Sequence, residues 1–193
     1  MAINVIIKIP SNTNKMNNTA VKNTGIVLLV TLLWVVLYQL NMAMFHKLLF
    51  STYVTWIFLP SGIRLISVII FGRLGVLGLF IGTLITYYLN GYTLGNPYIL
   101  ATISAVNPYL AVAACRYLLK IDDLFTQLSA GKLLFFSLMS ALFNSFFHQF
   151  YLHLRNNEGF ANDSFVMFYG DFFGTLILLY LMSIIIKYLK YRH

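Results

Sequence analysis

Apolar residues run through this chain in long blocks separated by short polar intervals. The first block, Gly25 to Met44, is about 20 residues, or roughly 30 Å of helix, the thickness of a bilayer core. Five more follow: Leu49–Gly72, Leu74–Asn90, Tyr98–Leu119, Leu133–Leu154 and Ser164–Leu189. None alternates apolar and polar with a period of two, so a barrel is excluded. The pattern predicts an all-α integral membrane protein, a bundle of about six transmembrane helices. Residues 25–193 form one transmembrane domain behind a polar tail, 1–24, with a short amphipathic piece at Ile3–Ile9.

Interruptions within the blocks refine this picture. Pro60-Ser-Gly62 breaks the second run, because proline cannot donate to the preceding turn. Leu49–Leu59 then either spans or re-enters, and a half-helix starting at Pro60 would aim free N–H groups and a positive dipole end at an anion. Asn107-Pro108 interrupts the fourth run. Gly72, Gly75, Gly78 and Gly82 recur at helical spacings, a face that lets a neighbouring backbone approach closely. Gly170 and Gly174 make a second such face. Lys120–Lys132 is amphipathic enough to lie along the membrane surface.

Composition agrees with the blocks. Only 9% of the 193 residues are charged and 60% are hydrophobic, too little charge to clothe a soluble globule. The formal net charge is +8, but the basic residues sit at block ends rather than on one patch, so nucleic acid is not an expected partner. With the amino end in the cytoplasm, inner segments hold Lys8, Lys15, Lys22, Arg73, Arg116, Lys120, Lys132, Lys187, Lys190 and Arg192, against Lys47 and Arg155 outside. This bias predicts a bacterial inner membrane protein with both termini cytoplasmic. Cys115 is the sole cysteine and reads as a core residue. Trp34, Trp56 and the tyrosines near block ends read as interface anchors.

Two charges fall inside apolar blocks, Arg64 and Asp171. An arginine at the bilayer centre costs roughly 2.5–3.5 kcal/mol on insertion scales, so it needs a partner. Arg64 lies roughly 16 Å and Asp171 roughly 10 Å below the outer ends of their runs. An arginine side chain reaching outward brings the two level. The fifth run adds a polar stripe, Ser137, Ser140, Asn144, His148 and Tyr151, at spacings of three and four. Arg64, Asp171, His148 and Asn144 are therefore the candidate ligand site or buried ion pair in the outer half of the bundle. Gly75, Gly78, Gly82, Gly170 and Gly174 are the candidate packing positions. His148 and His153 are five apart, off one helical face, and predict no metal site. There is no phosphate loop, metalloprotease motif or nucleophile elbow, so neither enzymatic activity nor a cofactor is expected.

Trp56-Ile-Phe-Leu-Pro-Ser-Gly-Ile-Arg-Leu65, Phe71-Gly-Arg-Leu-Gly-Val-Leu-Gly-Leu-Phe-Ile-Gly82 and Tyr169-Gly-Asp-Phe-Phe-Gly-Thr-Leu176 together resemble the bacterial membrane-associated sensor domains of MASE type. The resemblance implies a multi-helix input domain feeding a kinase or cyclic-nucleotide enzyme. This chain is shorter and no output domain follows His193, so a stand-alone sensor would act through a membrane or cytoplasmic protein partner. It would recognise a small ligand, an anion among the candidates. The alternatives are the substrate-binding subunit of an uptake transporter, docking through Ala101, Ala105, Ala111, Ala113 and Ala114, or a structural accessory subunit whose partner in either case is joined in the lipid bilayer.

Overall fold

In the computed structural model, residues 12–51, 54–93, 95–121, 129–156 and 160–191 are described. They form six helices: α1 (Asn12–Phe45), α2 (Pro60–Phe71), α3 (Arg73–Leu89), α4 (Pro97–Leu119), α5 (Ala130–Asn156) and α6 (Phe160–Tyr191). The helices α1, α4, α5 and α6 are long and apolar enough to cross a membrane. The protein is thus a membrane-embedded helical bundle, as the block pattern predicts. It also carries a small β-hairpin, β1 (Leu49–Ser51) with β2 (Val54–Thr55), which an all-α reading did not include.

The second apolar run is where the expected spans change most. The described residues of Leu49–Leu59 neither span nor re-enter as a helix: they supply the two short strands and a non-helical stretch. Only α2, 12 residues long, is helical, about 18 Å against roughly 30 Å of hydrocarbon. Gly72, at φ +53°, turns the chain straight into α3, a conformation glycine adopts without strain. Two further boundaries move. The first helix starts at Asn12, so part of the expected tail 1–24 is helical. The fourth run is not interrupted, since α4 continues through Pro108. Residues 1–11, holding the Ile3–Ile9 piece, and 122–128, most of the Lys120–Lys132 segment, lie outside the described residues.

Five helices pack in succession, α1 on α3, α3 on α4, α4 on α5 and α5 on α6, while α2 touches all of them. α1 shows how lipid orders a helix. Leu28, Leu32, Val36 and Leu40 are exposed at four-residue spacing, whereas Val30, Trp34, Tyr38 and Asn41 are buried. Leucine against lipid carries no hydrophobic penalty, so the buried face is chosen by fit and hydrogen bonding. Thr31 Oγ1 donates to the Gly78 carbonyl at 3.0 Å.

The glycines explain two close seams. A methyl at Gly78 would fall 2.7 Å from Val30 Cβ, and one at Gly82 would fall 2.8 Å from Trp34 Cδ1. These two seat α1 on α3. Gly75 faces the other way, onto the Ser67 carbonyl of α2, and Gly72 is the turn, so the expected single glycine face is divided among partners. On α6, Gly170 and Gly174 lie against the carbonyls of Thr55 and Phe58. The non-helical stretch therefore runs directly along α6, and Gly62 continues the seam against Leu178.

Candidate functional site

Non-helical backbone inside a bundle is tolerated only where protein satisfies its polar groups. Here the satisfaction comes from both sides. The Phe58 amide donates to the Gly170 carbonyl at 3.0 Å. From α1, Asn41, wholly buried, accepts from the Leu59 amide at 2.9 Å and donates to the Ile57 carbonyl at 3.3 Å. One amide side chain thus bridges two peptide groups as a neighbouring strand would. The start of α2 is closed as well: the Ser61 and Gly62 amides turn back to the Phe58 and Leu59 carbonyls at 3.2 and 3.1 Å. The expected anion cradle of free N–H groups at Pro60–Gly62 is corrected by this arrangement, because a tight first turn has used them.

One turn further on, Arg64 meets Asp171. Nη2 donates to Asp171 Oδ1 at 2.6 Å, and both side chains are buried, 4% and 3% exposed. Asp171 Oδ2 accepts from Asn144 Nδ2 of α5 at 2.6 Å. The carboxylate is therefore fully engaged, one oxygen to a cation and one to an amide. Behind it, Ser61 Oγ and Thr175 Oγ1 lie 2.7 and 2.8 Å from the Asp171 carbonyl, and 2.9 Å from each other. These hydroxyls tie the start of α2 to the middle of α6.

Arg64 is less fully used. Its hydrogen bond to Asp171 is joined by two ring contacts, with the guanidinium carbon 5.7 Å from the Trp34 centroid and 5.4 Å from that of Phe58. A guanidinium has five N–H donors, so most remain uncommitted among the described residues. Trp34, 2% exposed, is thus a wall of the site and not an interface anchor: it stands mid-way along the first run, too deep for a headgroup. Trp56 is exposed.

These groups line a cavity of about 80 Å³, taken as the space open to the centres of water-sized bodies. One water needs about 10–15 Å³ on this measure, so it has room for about five to eight waters. Every helix contributes: Trp34 and Tyr38 from α1, Arg64 from α2, Thr83 and Thr86 from α3, Ser104 from α4, His148 from α5 and Asp171 from α6. Phe58, Tyr87 and Tyr92 complete an aromatic box, with Trp34, Tyr38 and Phe58 mutually packed at centroid distances of 5.8 to 6.2 Å. Trp34 Nε1 donates to Thr86 Oγ1 at 3.3 Å, and the Tyr38 and Tyr92 hydroxyls meet at 2.7 Å. Proline at 108 has no N–H for the Ser104 carbonyl, which frees an acceptor beside this wall.

The structure brings Arg64, Asp171 and Asn144 into direct contact. His148 lines the cavity but bonds to none of them: its buried Nε2 has no partner, and neither has Asn144 Oδ1. The α5 stripe turns inward through Ser137, Ser140, Asn144, Ser145 and Gln149, all buried. The alanines of α4 divide. Ala101, Ala105 and Ala111 are at most 1% exposed, so they are not available to dock a partner, while Ala113 is exposed and Ala114 half-buried.

Sequence reasoning missed Asn41, Trp34, Tyr38 and Phe58. Three of them carried a signal: Thr31, Trp34, Tyr38 and Asn41 recur at spacings of three, four and three, one polar face within an apolar run. Phe58 carried none, since its place depends on the non-helical path. No family model matches the chain, and no curated protein and no solved structure matches it.

Proposed function

We propose that this protein is a membrane receptor-like module that recognises a small molecule inside its bundle and acts through a partner protein. The single observation carrying this reading is the cavity lined by all six helices, on whose wall the buried Arg64 is held to Asp171 through one nitrogen, Nη2. A purely structural ion pair needs no such chamber, and buried charges in membranes mark functional sites by default. The resemblance to MASE-type sensor domains agrees in kind, with a signalling partner supplying the output.

In this reading the chain crosses the bacterial inner membrane six times, α2 and its non-helical lead together making the second crossing. The basic residues at the Arg73, Arg116 and Lys132 end support a cytoplasmic side for that end and for both termini. The cavity then sits in the outer half. Native mass spectrometry of protein released from gentle detergent tests the function: a retained small-molecule adduct is expected. A spectrum holding only protein and lipid, at energies that preserve lipid adducts, overturns the reading. Single cysteines at Gly95 and Lys120, in a Cys115→Ala background, should label from outside and inside respectively.

A further inference from the structure

The proposed binding role leaves open what chemistry the chamber accepts, and its charge count narrows that. Arg64 and Asp171 are the formal charges on its wall, with histidine counted neutral. They sum to zero and are bonded to one another at 2.6 Å. A monoanion seated on Arg64 would place two negative charges around one positive charge in a water-poor interior, where an unbalanced charge is expensive. A monocation would meet Arg64 itself. The donors and acceptors on offer are complementary in type: spare guanidinium N–H groups on one side, and on the other the hydroxyls of Thr83 and Ser104, 3.5 Å apart. The rings of Trp34, Tyr38 and Phe58 supply flat apolar walls, which suit a planar guest. Room for about five to eight waters is the bulk of one ring with few substituents.

We propose that the cavity binds a small uncharged planar ring carrying a carbonyl acceptor next to an N–H donor, as in a lactam, a cyclic imide or a nucleobase. The carbonyl accepts from Arg64, the N–H faces the Thr83 and Ser104 hydroxyls, and the ring lies among the aromatic side chains. This rests on the binding role proposed above and replaces the anionic ligand that the sequence suggested. An anion would be welcome only if Asp171 lost its charge. Asparagine at that position keeps the shape, and its amide can still accept from Arg64 while donating to a flipped Asn144.

The test uses the full chain in detergent at pH 7.4, with 2-pyridone and uracil as neutral compounds and benzoate and nicotinate as anions. Binding is read by equilibrium dialysis and by the shift in unfolding temperature. Wild-type protein should bind the neutral compounds at least tenfold more tightly than the anions, and Asp171→Asn should raise the anion-to-neutral affinity ratio at least tenfold. A wild-type preference for anions, or a ratio unmoved in folded Asp171→Asn, overturns the neutral-ligand proposal while leaving the cavity as a binding site. Should Asp171→Asn fail to fold, the wild-type ratio decides alone. Failure of all four compounds also overturns the proposal, and the native mass spectrum then decides the binding role separately.

Discussion

Two seams in this bundle carry the same sequence signature, a pair of glycines four apart, and hold together by different means. On α3, Gly82 receives a side chain, Trp34, and Gly78 receives the Val30 side chain together with the Val27 carbonyl. On α6, Gly170 and Gly174 receive main chain, the carbonyls of Thr55 and Phe58. The Trp34 ring can tilt away from an intruding methyl at Gly82, whereas a carbonyl already committed within a chain path cannot. The α6 seam also carries the buried charges, while the α1–α3 seam is joined by neutral hydrogen bonds from Thr31 and Trp34. Small residues at spacing four therefore announce close approach without saying what approaches.

The largest expected effect lies on the charged seam. Arg64→Ala leaves Asp171 buried and unpaired and should cost about 3–5 kcal/mol, whereas replacing both partners by leucine-sized residues should cost much less. Reversible unfolding in mixed micelles measures both, and a double-mutant cycle returning no coupling would refute the pair as the seam's anchor. Next comes Gly174→Ala, expected to cost about 3 kcal/mol because rigid backbone must move. Gly82→Ala should cost only about 1 kcal/mol, the low end for overpacking, while tilting the Trp34 ring into the cavity and changing its fluorescence. Equal losses at the two glycines would mean that the two seams are alike. Smallest is Thr31→Val, worth about 0.6 kcal/mol as a typical interhelical hydrogen bond; a loss several times larger would make the α1–α3 seam the more polar one in energetic terms.

The sequence made part of this legible. Arg64 within an apolar run demanded a mate, and depth arithmetic from the run ends pointed to Asp171, which the structure bonds to it. Pro60 marked the start of a helix, because proline fits a first turn without losing a hydrogen bond. What stayed hidden depended on main chain. Asn41 shared a face with Thr31, Trp34 and Tyr38, but what it holds could not be read, since its partners are peptide groups of residues 57 and 59 that leave no trace in a side-chain pattern. The closed first turn of α2 was invisible for the same reason. Trp34 was misplaced by residue type, although its position nine residues into a run of about 20 already set it near the middle of the bilayer.

The brevity of α2 has one more consequence. A second helix that ran the full depth of the bilayer would crowd the volume that Phe58, Trp34 and Tyr87 now line. The chamber is the missing upper storey of that helix, and the price of leaving it unbuilt is a clamp, Asn41 on one flank and two bare glycines on the other. Any change that let helical turns propagate backward from Pro60 would fill the room with its own backbone and evict whatever it holds.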